Sequence, residues 1–265
     1  MNEVMLPSRR NVVRTAAWTV PVVAATVGAP AFAASCGTTS HTWRLDWGNE
    51  NTSDAFSTAY PAAPTTNAQG VRSGTATITG PAGTTPMTVS FTSTSVGTDT
   101  RTNNNLRVDA GTYPSIGGTG GTGLLLQHQN ITSGRANSRQ EVVIAFGRPV
   151  TNLQFSVTDI DSNDQQGNNS DFYDQVELTG TRSYTFTSRG GGNTYVVGAG
   201  TSNDPWHMYN NNTVANDSGA NSDRGNVNVT YPGPVSSITL TYWTSRGSGN
   251  QAIFLSDFTF TAFGC

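Results

Sequence analysis

No lysine occurs in the 265 residues, and all 14 basic side chains are arginine. Charge of either sign is sparse, at 12% of residues, so the chain has no basic stripe of the kind that nucleic acid or an anionic membrane surface attracts. The histidines His41, His128 and His207 are scattered and only two cysteines are present, which leaves no ligand set spaced for zinc. No Gly-x-Ser-x-Gly elbow occurs. Asp217-Ser218-Gly219 stands alone where an aspartic protease needs two such motifs in apolar settings. No window keeps a helical period, which argues against a helix bundle. No apolar run reaches the roughly 20 residues of a stable membrane span.

What is present begins with an address. Ser8, Arg9 and Arg10, an apolar stretch from Val12 to Val27, and Ala31-Phe32-Ala33 have the order of a secretory leader, and the paired arginines resemble the twin-arginine kind. Val12 and Val13 stand where that leader more usually has Phe-Leu, which leaves ordinary Sec export open. Pro21 and Pro30 and the lack of acids between Glu3 and Asp46 argue against a helix of the mature fold. Residues 1–33 are therefore expected to be removed, placing the protein outside the cell or on its surface. Losing Arg9, Arg10, Arg14 and Glu3 leaves 11 arginines against 16 acids, a net charge of −5.

Cys36 and Cys265 then stand at the two ends of the mature chain. Ala33-Ala34-Ser35-Cys36 loosely resembles a lipoprotein box, but lipidating Cys36 would leave Cys265 as an odd thiol in an oxidising compartment. A Cys36–Cys265 disulfide is the simpler account. It requires Cα atoms within about 7 Å, so the first and last strands are expected to be neighbours.

Alternation with period two recurs along residues 34–265. Trp43, Leu45 and Trp47 share one face, as do Met87, Val89 and Phe91. The same holds for Val142, Ile144 and Phe146, for Leu153, Phe155 and Val157, and for Ile238, Leu240 and Tyr242. Further runs cover 124–128, 175–178, 183–187, 194–197, 227–231 and 252–260, separated by Gly, Pro, Asn and Asp. Residues 61–70 and the glycine-rich 117–123 read as loops. The pattern predicts an all-β, single-domain antiparallel sandwich of jelly-roll type, with a closed barrel as the alternative.

Acidic residues concentrate in Asp159-Ile160-Asp161-Ser162-Asn163-Asp164 and in Asp171-Phe172-Tyr173-Asp174. Asp159, Asp161, Asn163, Asp164, Asp171 and Asp174 supply the oxygen donors that Ca²⁺ takes, about six to eight at a time. The spacing is not that of an EF-hand, because Asp164 and Ser170 fall where Gly and Glu are required. The competing reading is that these side chains cap loop N–H groups. A second cluster, Asn203-Asp204-Pro205-Trp206-His207-Met208-Tyr209-Asn210, holds aromatics among amides and a carboxylate. Asp204, Trp206, Tyr209 and Asn210 are candidates for binding a glycan, whose C–H faces stack on rings while its hydroxyls meet polar groups. Alternatively Trp206 pins the loop to the sandwich.

The runs Val142–Phe146, Arg148–Leu153 and Phe155–Asp161, with Tyr173–Leu178 and the closing Ile253–Phe260, resemble the lectin-like β-sandwich domains of CshA-type bacterial adhesins. That resemblance covers roughly the C-terminal half and implies a jelly-roll-like sandwich that binds a glycan or a surface protein. The repeats and wall-sorting signal of large adhesins are missing from this sequence. An exported carbohydrate-active hydrolase and a structural envelope protein are the competing functions.

Overall fold

The computed structural model describes residues 39–48, 56–98, 100–101, 104–108, 116–129, 132–164, 171–180, 182–188, 195–215 and 223–264. Arg9, Arg10, Cys36 and Cys265 lie outside them. Every strand pairing among the described residues is antiparallel. Helix there is confined to the three-residue 3₁₀ turn Ile116–Gly118. No helix among those residues is long and apolar enough to cross a membrane.

One strand belongs to both sheets. Ser138–Thr158 runs for 21 residues. Through Phe146 it lies between Met87–Gly97 and Val235–Gly247. From Thr151 it lies between Val227–Tyr231 on one side and Phe258–Phe263 on the other. The sequence reads as two runs broken at Gly147-Arg148-Pro149. The structure instead carries a single strand around the corner of the sandwich, as strands that switch sheets do. Residues 147–149 pair with no neighbour in either ladder, so the missing N–H of Pro149 costs no sheet bond.

Beyond the corner the inward-facing parity changes. Val142 and Ile144 are fully buried at even positions, then Leu153 and Val157 at odd ones. The switch is made at Asn152, whose φ of 51° is left-handed, a region Asn tolerates better than most residues. The Asn152 N–H donates to the Pro232 carbonyl at 3.1 Å.

Aromatic side chains from the two sheets meet in the core. Phe258 stacks on Phe155 at 4.7 Å and meets Phe91 of the opposite sheet at 6.1 Å. Phe146 and Phe260 make a second crossing at 5.6 Å. The predicted inner faces are buried throughout.

Three details differ from the sequence reading. Arg72–Thr79 is a strand that the alternation conceals, because two of its inward positions are Gly74 and Ala76. Gly74 is packed against Tyr60, where a larger side chain has no room. The run 252–260 is two strands, Gln251–Leu255 and Phe258–Phe263, parted at Ser256-Asp257. That break is pinned: Asp257 accepts the Trp47 N–H and an Arg44 guanidinium N–H, each at 3.0 Å, and the Ser156 N–H donates to Ser256 Oγ at 2.8 Å. In the run 194–197, strand is confined to Val196–Val197 among the described residues, and residue 194 lies outside them.

Ser40–Leu45 pairs along its whole length with Phe258–Phe263, so the first and last described strands are neighbours. The Gly264 N–H donates to the Thr39 carbonyl at 3.0 Å. This is the arrangement that a Cys36–Cys265 bond needs at its flanks. The oxidised mature protein is expected to be two hydrogens lighter than the reduced one, and reduction to lower its melting temperature, with roughly 5 kcal/mol as the chain-entropy ceiling. Two alkylatable thiols in the native, exported protein would refute the bond.

Candidate functional site

The acidic segment and the aromatic loop, separate in the sequence, form one assembly. Ser138–Thr158 delivers the chain to Asp159, which turns it with a φ of 66°. The two-residue strand Ser162–Asn163 then pairs with Phe172–Tyr173 on one side and with Asn212–Thr213 on the other. Ser162 Oγ donates to the Asn210 carbonyl at 2.9 Å and accepts the Thr213 N–H at 3.1 Å. Val176 and Trp206 exchange backbone hydrogen bonds at 3.0 and 2.8 Å, laying the 203–210 loop along Phe172–Gly180.

Inside this assembly Asp161 and Asp174 face each other. Asp174 is fully buried and Asp161 is 7% exposed. The Asp161 N–H donates to Asp174 Oδ2 at 3.1 Å, and the Asp174 N–H returns a bond to the Asp161 carbonyl at 3.0 Å. The Tyr242 hydroxyl donates to Asp174 Oδ1 at 2.7 Å, and Asp161 Oδ2 accepts the Ala215 N–H at 3.1 Å. Burial, and then the Asp161 charge, push the Asp174 carboxyl well above the usual carboxylate range. Protonated, Asp174 donates to the Asp161 side chain, since two adjacent buried carboxylates cannot both stay ionised at low cost. Burial likewise raises the Tyr242 hydroxyl, keeping it a donor.

The remaining acids are disposed differently. Asp164 accepts from Arg246 at 2.6 Å and from the Asn211 amide at 3.0 Å, tying the two loops together at the surface. Asp171 is buried, and its carbonyl accepts the Gly249 N–H at 3.1 Å. Asn163 sits in the short strand. Among the described residues no group of three or more His, Cys, Asp or Glu stands close enough to share a metal ion. Residues 165–170 fall outside that description.

In the aromatic loop, Trp206 has no exposed surface. Its indole packs edge-on against Phe186 at 5.3 Å and Tyr184 at 5.9 Å. Gly200 lies against the ring, leaving no space for a Cβ. The anchoring reading of Trp206 therefore holds in place of the stacking one, because a fully enclosed ring offers no face to a ligand. Tyr209 is 55% exposed and rests edge-on against Tyr195 at 5.7 Å. Arg224 lies over Tyr195 at 4.6 Å. Asn210 folds back: its side-chain oxygen accepts from the Asn212 N–H and the Thr213 hydroxyl. Asp204 is exposed, with backbone bonds to Thr201 and Ala199 shaping its turn. Tyr195 and Arg224 escaped the sequence reading because no motif joins two residues so far apart in the chain.

No protein-family model matches the sequence, and no curated protein matches it. Among solved structures, the fold is similar to the N-terminal domain of the Streptococcus gordonii adhesin Sgo0707, at 10% identity and a TM-score of 0.37. The match covers 83% of this chain and 59% of that one, so this chain spans less than two thirds of its length.

The buried carboxyl pair sets a pH dependence. An acid whose folded-state pKa is raised favours folding fully below its unfolded pKa, near pH 4, and loses that contribution as pH rises toward the folded value. Relative to Asp174→Asn, the wild-type protein is expected to lose stability as pH climbs from about 4, by up to about 1.4 kcal/mol per pH unit. Asp174→Ala, which strands the Tyr242 hydroxyl and the Asp161 N–H, is expected to cost about 1–3 kcal/mol at low pH. Denaturant melts of the three proteins across pH test this, and parallel wild-type and Asp174→Asn curves would overturn it.

Proposed function

We propose that the mature chain is an exported, non-enzymatic binding module, adhesin-like or lectin-like, which engages a glycan or a surface protein through the face that carries Tyr209. The observation supporting this most is the Tyr209 ring, more than half exposed on a loop fixed by a fully buried tryptophan. With Tyr195 against it, the ring is part of an aromatic pair held on a rigid support. Tyr195 backs the ring, Arg224 lies over Tyr195, and the exposed Asn211 and Asn212 follow two and three residues further along the chain. Stacking and hydrogen bonding are thereby offered side by side, which is what carbohydrate and polar protein surfaces require. The leader read from the sequence supports export.

The hydrolase alternative needs two carboxyl groups flanking an accessible bond. Asp161 and Asp174 bond to each other and to the chain inside the protein, which favours binding over hydrolysis. Purified mature protein is expected to retain defined oligosaccharides or surface proteins on an array without consuming polysaccharide. Tyr209→Ala is expected to weaken retention about tenfold with its melting temperature unchanged. Running the array in calcium and in chelator assigns a cation to the recognition or removes it. Steady turnover of any polysaccharide, abolished by Asp161→Asn, would reverse the assignment.

A further inference from the structure

Three side chains far apart in the sequence meet beside the exposed ring, and one of them carries an unpaired charge. Arg224 stands on the turn at 223–225 with its guanidinium 4.6 Å from the centre of the Tyr195 ring. Tyr195 in turn meets Tyr209 at 5.7 Å. The guanidinium is therefore no farther from the Tyr209 ring than those two distances laid end to end.

The supports of this trio are fixed. The Gly225 carbonyl accepts the Ile160 N–H at 3.0 Å, and the Asn226 N–H donates to the Asp223 carbonyl at 3.1 Å. The Asn226 side chain donates to the Gly117 carbonyl at 2.6 Å, which ties down the far side of the turn. Tyr195 is held by its carbonyl, which accepts the Tyr209 N–H at 2.7 Å beside the pairing of Val196 with Met208. A ligand meets groups already in position, which lowers the ordering cost of binding.

The charge on Arg224 has no partner in the protein. The four ion pairs among the described residues engage Arg44, Arg135, Arg139 and Arg246. Arg224 makes none, and its Nε is enclosed without a hydrogen-bond partner. A guanidinium partly withdrawn from water with no counter-charge is costly, and an arriving anion relieves it. Contact with Tyr195 occupies the face of the guanidinium and leaves its edge, where the N–H donors lie, for another group. The terminal nitrogens, unlike Nε, are not enclosed, so they are what a ligand meets.

We propose that the Tyr209 face binds an acidic saccharide, the C–H face of its ring on Tyr209 and its carboxylate held by the terminal N–H groups of Arg224. A planar guanidinium and a planar carboxylate match as a bidentate pair, stronger than a hydrogen bond between neutral groups. The tyrosine ring takes the apolar face of the sugar, and the exposed, uncharged Asn211 and Asn212 further along suit its hydroxyls. A neutral glycan leaves the guanidinium as unpaired as before. The inference rests on reading the Tyr209 face as a binding surface, and it adds the class of sugar which that face selects.

The test is titration calorimetry of the mature protein, with chelator present so that no cation bridges. Sialyllactose and an oligogalacturonate are compared, each with its methyl ester, which keeps the sugar and removes the charge; the two arms separate the two sources of a sugar carboxylate. At least one acid is expected to bind about tenfold or more tighter than its ester, with an affinity that falls as salt is added. Arg224→Gln is expected to erase that preference, and Arg224→Lys, which keeps the charge without the fork, to restore only part of it. Both variants are expected to melt within a few degrees of the wild type, and Tyr209→Ala to weaken acid and ester alike.

Equal affinity for acid and ester overturns the inference, as does an acid preference that survives Arg224→Gln. If such sugar binding still falls in Tyr209→Ala, the binding module stands and only the selection by charge is lost. An acidic peptide bound in place of any sugar, and lost in Arg224→Gln, overturns the inference and assigns the face to proteins. With no sugar response the inference also fails: an array-detected protein lost in Tyr209→Ala then sustains the face, and one retained there removes the face as well.

Discussion

The rest of the molecule depends on the continuity of Ser138–Thr158 through both sheets. A strand that is central in one sheet and central again in the other holds their relative position covalently, where most sandwiches depend on side-chain packing and loops. Its corner has to leave the ladder without leaving polar groups stranded. Gly147-Arg148-Pro149 pass through without ladder partners, and Asn152 takes the left-handed turn that changes which residues face inward. The phenylalanine contacts across the core follow from that placement.

The same strand positions the candidate site. Its end at Thr158 delivers Asp159 and Asp161; its neighbour Val235–Gly247 delivers Tyr242; and the next strand, Phe172–Gly180, delivers Asp174. Three adjacent elements thus converge on one buried carboxyl pair. Each carboxyl satisfies groups that would otherwise be stranded in the interior, so the pair fixes the arrangement around it. Asp161 accepts the Ala215 N–H, and Ser162 holds both Asn210 and Thr213, so the polar contacts decide where the 203–215 segment lies.

Much of the sandwich was legible because alternation is a direct record of burial on a half-exposed strand. Val142, Ile144, Phe146, Leu153, Phe155 and Val157 announce their faces. Gly74 and Ala76 do not, since small inward residues carry almost no hydrophobic signal even when Tyr60 fills the space beside them. The site was legible in its parts and not in its assembly. Composition marks Asp161, Asp174, Trp206 and Tyr209 as unusual, but sequence spacing cannot say that one pair is sealed in the core while a ring three residues from another is exposed. Long-range pairing decides that, and the pairing of Ser162–Asn163 with Asn212–Thr213 spans about fifty residues of loop and strand.

The exposed rings of Phe186 and Tyr209 both stand at sheet edges, and this follows from how those edges are managed. One margin of one sheet is the two-residue strand Asn212–Thr213 and one margin of the other is the four-residue strand Thr185–Ser188, while the six-residue Ser40–Leu45 forms an edge elsewhere. Short edges limit unwanted pairing with other chains, which matters for a protein with few charges to repel them. Trp206 bridges the two, since its indole packs on Phe186 of one edge while its own loop continues to Tyr209 beside the other. An edge too short to recruit a strand still displays side chains, so the two lateral margins that are closed to β-pairing are the places where Phe186 and Tyr209 reach solvent.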